Sequence, residues 1–598
     1  MFKPTSNRLD YGKILAPPVG YEMVYAVGTT YSLDLDALIG ASIALGLSES
    51  IDSELKDNPI YLLEALKRTA DKVALFCESG QIQVPYQAKV LHSLLESMVV
   101  EVSMKNKKSF HPKFWLVKYE NNLSEDLFRC IVLSRNLTFD RSWDIAVCLE
   151  GSTKIDSRIK YGYEKSKPVS SFLESLLKMA KRGMLDLKKK KMVNRAVKEV
   201  LNVKFDIQDQ AYTDFEFIPI GIEGYKAEQM GLFTSYHEMF IMTPFLSDTT
   251  IKRMDQVALT SASKNTLITR KSELGKLKPE SVEHFDVYVL KDIVVDGEDA
   301  LSDAEQVAEI EDKQKQDIHA KLFLRTKYSD SELFMGSFNA SENACYGNVE
   351  FMLKLAGKRR YLNVDQLKKD IFGDEDKENP FEKVDRFIGN GQTTLSLLDK
   401  LQKRIKDVCR LKASATVVQQ DDKYAVTVTF EKLSDNDNMT LYPIFSPVKE
   451  QPLKDIMQFE LIPLVQLSEF YVLTAHEDGE SVHRLIKIPT ENIPEQRNQL
   501  IVNDIIKDRN GFMQYLSFIL GEDYLLSALE NKKQIFNASL HHQGSEMPAM
   551  YEKMLKAAVH SPTKLAEIKR MMDMISDDAI VPDSFKELFE VFQEVIKR

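Results

Sequence analysis

The stretch Ile318–Glu350 reads I-H-A-K-L-F-L-R over residues 318–325 and G-S-F-N-A-S-E-N-A-C-Y-G-N-V-E over residues 336–350. The first run predicts a β-strand on which His319 and Lys321, two positions apart, point to the same side. The second run predicts a Gly-Ser-x-Asn turn after another strand, with Glu350 one short helical turn later. A single His-x-Lys pair arises by chance in many chains, so the weight of this stretch depends on the rest of the sequence.

A second copy of the pattern lies earlier in the chain. The predicted strand Phe110–Tyr119 carries His111 and Lys113, and S-R-N-L-T over residues 134–138 and Trp143-Asp144 follow it. The two histidines are 208 positions apart, and the asparagines at 136 and 339 are 203 apart. The preceding strands and helices also recur in the same order. Such near-equal offsets predict an internal duplication of one α/β unit.

The chain divides into six predicted segments. After residue 379 the pattern changes: residues 424–430 alternate as a half-buried strand, Asp478-Gly479 predicts a hairpin turn, and an apolar helical stripe runs from Phe585 to Ile596. The predicted segments are a first α/β repeat with its lead-in (1–185), a basic helical connector (186–205), a second α/β repeat (206–378) with an acidic insertion (292–317), a helical linker (379–410), a β-rich domain (411–494) and a helical C-terminal domain (495–598).

Composition bounds the class of protein but not its function. The 598 residues are 43% hydrophobic and 28% charged, as in ordinary soluble globular proteins. The five cysteines form no C-x-x-C pair, which predicts reduced thiols in a cytoplasmic protein and disfavours a zinc site. The net charge of −11 argues against a broadly basic nucleic-acid-binding surface, although a local basic cleft remains compatible with it.

The two copies together give H-x-K, S-x-N-[LA]-[TS] and a later acidic residue, an order that resembles the phospholipase D superfamily. It is most similar to the tyrosyl-DNA phosphodiesterase and nuclease branches, in which an Asn rather than the Asp of H-x-K-x-x-x-x-D accompanies each His and Lys. Lys118 and Thr326 stand where that Asp would be. The resemblance spans residues 21–356 and implies a duplicated α/β sandwich whose two halves form one catalytic unit about a pseudo-twofold axis.

The resemblance also implies roles for individual residues. One histidine attacks phosphorus and the other protonates the leaving oxygen; by resemblance His111 is the nucleophile and His319 the acid. The lysines and asparagines hold the phosphate oxygens, and each acidic residue binds a histidine ring. The predicted catalytic residues are His111, Lys113, Asn136, Asp144, His319, Lys321, Asn339 and Glu350. Predicted substrate-binding residues are Ser134, Ser337, Lys105, Lys107 and Lys108. This chemistry needs no metal and no cofactor.

The leading hypothesis is a metal-independent phosphodiesterase that cleaves nucleic acid, DNA above all, through a phosphohistidine. By family analogy it would be the nuclease of a bacterial antiviral defence or restriction-type system, working with a separate helicase or ATPase. Three alternatives stay open: an end-processing enzyme like tyrosyl-DNA phosphodiesterase, a phospholipid hydrolase, and a non-catalytic nucleic-acid-binding scaffold.

The roles of two charged segments each allow two interpretations. The lysine run 188–191 is either a solvated helix face or a nucleic-acid contact, and the acidic insertion 292–317 is a surface excursion that could also cover a cationic cleft.

Overall fold

The fold is known from a computed structural model. It describes residues 10–47, 58–104, 108–139, 142–153, 161–259, 265–291, 317–373, 379–384, 396–433, 437–520, 551, 553–558, 562–575 and 580–596. The acidic insertion, apart from Asp317, lies outside the described residues.

The first half of the chain forms a seven-stranded mixed sheet. Three parallel strands form one side of it and antiparallel strands continue it on the other, in the order β3-β2-β1-β5-β6-β8-β9. These strands are β1 (Tyr21–Thr30), β2 (Val73–Glu78), β3 (Val99–Val102), β5 (Phe114–Asn121), β6 (Asp126–Leu133), β8 (Ala146–Ser152) and β9 (Lys204–Asp206).

The next part of the chain builds a second sheet with the same arrangement. Strand β11 pairs in parallel with β12 and β12 with β13, while β15, β16, β17 and β10 continue antiparallel on the other side of β11. The strands are β10 (Tyr212–Ile220), β11 (Glu238–Met242), β12 (Asn265–Ile268), β13 (Phe285–Leu290), β15 (Leu322–Lys327), β16 (Asp330–Gly336), β17 (Asn348–Lys358) and β18 (Phe381–Lys383).

Two short parallel pairings connect the two halves of the chain, one on the second sheet and one that forms a separate two-stranded sheet. Strand β4 (Ser109–Phe110) pairs with the start of β17, and β14 (Asp317–Ile318) pairs with β7 (Ser142–Trp143). Each short strand that precedes a histidine therefore pairs with residues that immediately precede the acid of the other sheet.

This exchange corrects one sequence prediction. His111 and Lys113 are not on one continuous strand, because the chain leaves β4 and enters β5 only at Phe114. The same gap separates β14 from β15 around His319 and Lys321. Before the first gap β4 pairs with β17 of the second sheet, and after it β5 belongs to the first sheet; before the second gap β14 pairs with β7, and after it β15 belongs to the second sheet.

The two sheets share a core. Along β2, Leu75 and Cys77 face one apolar cluster and Phe76 faces another, as the two-residue period of a strand requires. The cluster around Phe76 also contains Leu324 and Phe351 from the second sheet. It is covered by helices α4 (Tyr161–Met179), α5 (Leu187–Val200) and α7 (Val364–Phe372), while α1 (Tyr11–Leu15), α2 (Leu35–Leu47) and α3 (Pro59–Ala70) lie in the cluster around Leu75 and α6 (Asp248–Asp255) packs on the second sheet.

Residues after 396 form a β-rich part with a core of its own. Helix α8 (Leu397–Cys409) packs against two four-stranded sheets, ordered β23-β20-β19-β26 and β22-β21-β24-β25. The strands are β19 (Ala413–Gln420), β20 (Lys423–Phe430), β21 (Met439–Pro443), β22 (Gln451–Pro452), β23 (Ile456–Ile462), β24 (Phe470–Glu477), β25 (Glu480–Lys487) and β26 (Thr490–Glu491). The hairpin turn predicted at Asp478-Gly479 is confirmed, with both residues at positive φ.

The C-terminal helices pack on the first repeat. They are α9 (Gln496–Ile506), α10 (Arg509–Leu520), α11 (Pro562–Met574) and α12 (Asp583–Ile596). Phe585, Phe589 and Phe592 are buried in the same cluster as α2 and α3, so this part of the predicted apolar stripe is intramolecular core. Within the described parts of the chain, every helix is too short or too polar to cross a membrane.

Candidate active site

His111 is oriented by an acid from the other repeat. Its backbone N–H donates to the carbonyl of Val349 at 2.9 Å, and its Nδ1–H donates to Oε2 of Glu350 at 3.0 Å. A carboxylate can only accept, so this bond leaves Nε2 as the unprotonated ring nitrogen. Burial and the nearby Lys113 and Lys321 lower the pKa of His111 to about 4, against the opposing effect of Glu350. The imidazole is therefore neutral at neutral pH.

His319 occupies the equivalent place with a different environment. Its backbone N–H donates to the carbonyl of Trp143 at 2.9 Å. The Nδ1 atom, in contrast, is buried and has no hydrogen-bond partner among the described residues. Burial and then the charges of Lys321, Arg270 and Lys113 lower the pKa of His319 to about 2.

The acid next to His319 is bound to its own repeat. Asp144 accepts from the hydroxyls of Ser134 at 3.2 Å and Ser142 at 2.9 Å. An aspartate is one methylene shorter than a glutamate, and Asp144 makes no contact with the ring of His319 that corresponds to the Glu350–His111 bond. Burial raises the pKa of Asp144, against the opposing charge of Lys321.

The two lysines are almost inaccessible to solvent, at 1% exposure each. Lys113 Nζ donates to the carbonyl of His111 at 2.8 Å, and Lys321 Nζ donates to that of His319 at 2.6 Å and lies 3.5 Å from the carbonyl of Ser134. Burial lowers the pKa of Lys321 to about 8, and burial together with Lys321 lowers that of Lys113 well below its usual value. An anion bound between them would relieve this repulsion.

The asparagines and serines complete the site. Asn136 and Asn339 are nearly buried, and Oδ1 of Asn339 has no hydrogen-bond partner among the described residues. The hydroxyl of Ser337 donates to Glu350 and accepts from the N–H of Phe351 at 2.9 Å, just as Ser134 serves Asp144 and accepts from Ile145. Both serine hydroxyls are therefore occupied by the acid of their own repeat.

Gly336 explains why only the second motif begins with glycine. Its φ is +145°, and a Cβ there would lie 2.4 Å from the carbonyl oxygen of Phe351. No other residue fits so close to β17 without moving the backbone. The first copy has Leu133 at this position, paired with Ala146 of β8.

Sequence reasoning missed three side chains beside the histidines. The ring of Tyr31 lies 5.1 Å from that of His111, Arg270 Nε donates to the carbonyl of Ile318 at 3.2 Å, and Glu78 accepts from the N–H of Phe110 at 2.6 Å. All three follow or end parallel strands, where sites of α/β sheets collect. Their place at the ends of parallel strands could have indicated these three residues from the sequence.

The remaining predicted lysines lie elsewhere or outside the description. Lys105 and Lys107 are not among the described residues, and Lys108 uses its carbonyl to accept from Arg410 at 2.8 Å. In the run 188–191, Lys189 is buried and donates to the carbonyls of Ala70 and Val73.

The described residues contain no group of three or more His, Cys, Asp or Glu side chains that could hold a metal ion.

Comparisons with known proteins give weak overall likenesses. No protein-family model and no curated protein sequence matches the chain. Among solved structures, yeast tyrosyl-DNA phosphodiesterase is similar at 11% identity and a TM-score of 0.35, over 59% of this chain and 87% of that one. Polyphosphate kinase from Porphyromonas gingivalis is similar at 11% identity and a TM-score of 0.31, over 66% of this chain and 50% of that one.

Both solved structures belong to the phospholipase D superfamily. Members of the family that the two motifs resemble are thus among the structures similar to this chain.

Proposed function

We propose that this chain is a phosphodiesterase of the phospholipase D type that cleaves nucleic acid, DNA above all, through a covalent phosphohistidine and without a metal. The observation that carries the proposal is the exchange of strands between the sheets. It accompanies the bond between Glu350 and His111 and the approach of Lys321 to Lys113 and to the carbonyl of Ser134, and these contacts support the proposal. We accordingly propose that the two sheets are one duplicated catalytic unit with a pseudo-twofold axis.

The site is built to hold an anion. Lys321 lies close enough to lower the pKa of Lys113, and both lysines lower the pKa values of His111 and His319; a phosphodiester would supply the missing negative charge. The amide of Asn339 and the ammonium groups of Lys113 and Lys321 can donate to its non-bridging oxygens.

The asymmetry of the histidines favours His111 as nucleophile. The Nδ1–H bond to Glu350 fixes one tautomer, so the lone pair of Nε2 attacks phosphorus while the bond to the leaving oxygen breaks. His319, protonated in the complex, gives its proton to that oxygen. It then takes a proton from water, whose oxygen attacks phosphorus and breaks the phosphorus–nitrogen bond, which regenerates both histidines. Ser134 and Ser337 would hold the acids in place during this cycle.

The test is cleavage of single- and double-stranded DNA and RNA by the full chain in excess EDTA. Cleavage that disappears in both His111→Ala and His319→Ala, but persists in His237→Ala, is the expected result. His237 is the matched control because its backbone N–H donates to the carbonyl of Thr326, near the far end of β15 from Lys321. Strict dependence on added divalent metal would contradict the proposal.

The same assay decides the alternatives. A 3′-phosphotyrosyl oligonucleotide cleaved while plain strands stay intact would favour end-processing, and phosphatidate released from vesicles would favour a lipid hydrolase. A binding scaffold predicts that both histidine variants keep their biological effect.

The wider biological setting rests on the motif resemblance alone. We propose on that basis a nuclease of a bacterial defence or restriction-type system with a separate helicase or ATPase partner. A cytoplasmic site of action is supported by the five cysteines, which are all free thiols in the structure.

A further inference from the structure

Helix α8 ends against the segment that leads into His111. The ammonium group of Lys406 donates to the hydroxyl of Ser109 at 2.8 Å, and the guanidinium of Arg410, just after the helix, donates to the carbonyl of Lys108 at 2.8 Å. Residues 108 and 109 directly precede Phe110 and His111. Two cations from the region after residue 396 therefore hold the backbone and side chains next to the proposed nucleophile.

Glu78 connects these cations to the histidine segment. It is the last residue of β2 and is fully buried. Its Oε2 accepts the N–H of Phe110 at 2.6 Å, and its Oε1 lies 2.7 Å from Lys406 Nζ and 3.7 Å from Arg410 Nη2. Burial raises the pKa of Glu78, and the two cations oppose that rise. A buried carboxylate of this kind is tolerated because it is paired.

In the second repeat, the segment before His319 is contacted by a cation from the same repeat. Arg270, two residues after β12, donates to the carbonyl of Ile318 and pairs with Asp317 at 2.8 Å. Ile318 pairs with Trp143 as Phe110 pairs with Val349. The cation beside the segment before His319 thus comes from the second repeat itself, whereas the cations beside the segment before His111 come from the end of α8.

The contact of α8 with the first repeat is close. Lys181 donates to the carbonyl of Cys409, the last residue of the helix, at 2.8 Å. Gly80 has φ +74°, and a Cβ there would lie 3.2 Å from Cys409 Sγ. The end of the helix therefore packs directly on the turn that follows β2, the strand whose last residue is Glu78.

We propose that Lys406 and Arg410, acting through Glu78 and Ser109, are positioning residues for His111. The region after residue 396 is then part of the catalytic unit rather than an appended binding domain. The inference rests on the proposed phosphodiesterase function and adds a role for this region.

The test compares Lys406→Met with Lys403→Met, an exposed lysine on the same helix, in the full chain. For Lys406→Met we expect kcat to fall about 10- to 100-fold, as for other residues that orient a reacting group, with little change in KM. Lys403→Met should match the wild type, and Lys406→Arg should recover most of the rate. The thermal unfolding midpoint of each variant, compared with that of the wild type, shows whether a substitution has destabilised the whole fold.

A second measurement does not need activity. Modification of His111 by diethyl pyrocarbonate, followed by mass spectrometry, should become several-fold faster in Lys406→Met but not in Lys403→Met. Adding Glu78→Gln to Lys406→Met removes the buried carboxylate charge that Arg410 alone, at 3.7 Å, would have to balance, and should bring the modification rate back toward the wild-type value.

The outcomes separate the two proposals. If the wild type is inactive on every phosphodiester but His111 still responds to Lys406→Met, the proposed function fails and the positioning role stands. If kcat and the modification rate are both unchanged, the positioning role is wrong. A rise in KM alone would show that Lys406 contacts substrate instead, which also overturns it.

Discussion

The ring of His111 donates its Nδ1–H to the carboxylate of Glu350 at 3.0 Å, across a sequence separation of 239 residues. The matching pair in the other direction, His319 and Asp144, is not formed, because Asp144 is held by Ser134 and Ser142. One histidine is therefore locked in a single tautomer while the other keeps an unpartnered Nδ1. The two halves of the site contain corresponding residues, but their histidines differ in the hydrogen bonding of Nδ1.

This difference predicts unequal effects for the two acids. Glu350→Gln keeps the size of the side chain but removes the charge that stabilises the His111 tautomer, so we expect kcat to fall about 100-fold or more. Asp144→Asn should cost less than about 10-fold, since Asp144 does not orient a histidine ring. Steady-state cleavage rates of both variants in EDTA measure this. Equal losses would contradict the assigned asymmetry.

The leaving group separates the roles of the two histidines. With a p-nitrophenyl phosphodiester, whose leaving group needs no proton, His319→Ala should still release one equivalent of p-nitrophenolate and retain a phosphoryl group on His111. His111→Ala should release none. Stopped-flow absorbance and mass spectrometry of the trapped protein provide the measurement. An adduct in His111→Ala, with none in His319→Ala, would reverse the assignment.

The dependence on pH follows from the lowered pKa values of the two histidines. His111 must be neutral and has a pKa of about 4, while His319 must be protonated and has a pKa of about 2 in the free protein. The protonated fraction of His319 falls as pH rises, so kcat/KM should fall about tenfold per pH unit between pH 5 and 7.5. At saturation the bound anion offsets the lysine charges, so kcat should decline only at higher pH.

Rates measured at limiting and at saturating substrate across that range test this expectation. A kcat/KM that increases with pH would mean that a group with a pKa above 5 must lose its proton, which neither histidine explains.

The junction between the first repeat and the C-terminal region contains a buried ion pair. Glu96 accepts from Arg497 at 2.9 Å, and both side chains are under 10% exposed. Arg497→Met leaves a buried carboxylate unpaired and should lower the free energy of unfolding by about 3–5 kcal/mol. The matched control is Lys412→Met, which breaks an ion pair to Glu431 whose partners are about 60% exposed and should cost less than about 1 kcal/mol.

Urea-unfolding midpoints of both variants provide the comparison. Adding Glu96→Gln to Arg497→Met should restore part of the loss. Equal midpoints for Arg497→Met and Lys412→Met would show that this buried ion pair contributes no more to stability than an exposed one.

The sequence predicted features that depend on local pattern. Strand Val99–Val102, the hairpin at Asp478-Gly479 and the mixed α/β character of residues 21–356 follow from periodicity and turn chemistry, and the structure confirms them. The short helical turn predicted before Glu350 is also present, as a π-helical turn over Asn343–Gly347.

Features that depend on distant contacts could not be predicted in this way. Nothing in the residues around His111 indicates that Glu350 rather than Asp144 would bind it, since either acid follows its motif at a similar distance. The burial of Lys189 could not be predicted either. Its neighbours in the lysine run are exposed, whereas its ammonium group donates to the carbonyls of Ala70 and Val73. Contacts of α8 with Glu78 join residues more than 300 positions apart.

The exchange of β4 and β14 between the sheets has a consequence for how the site can be assembled. In a closed two-fold interface each partner offers the same surface, and residue i meets j as j meets i. The backbone pairings on the two sides of this site follow that rule within one chain, since Phe110 pairs with Val349 and Ile318 with Trp143. Neither repeat contains a finished site, because the strand beside each histidine finds its partner only in the other half. Both sheets must therefore fold before the residues around His111 and His319 can come together.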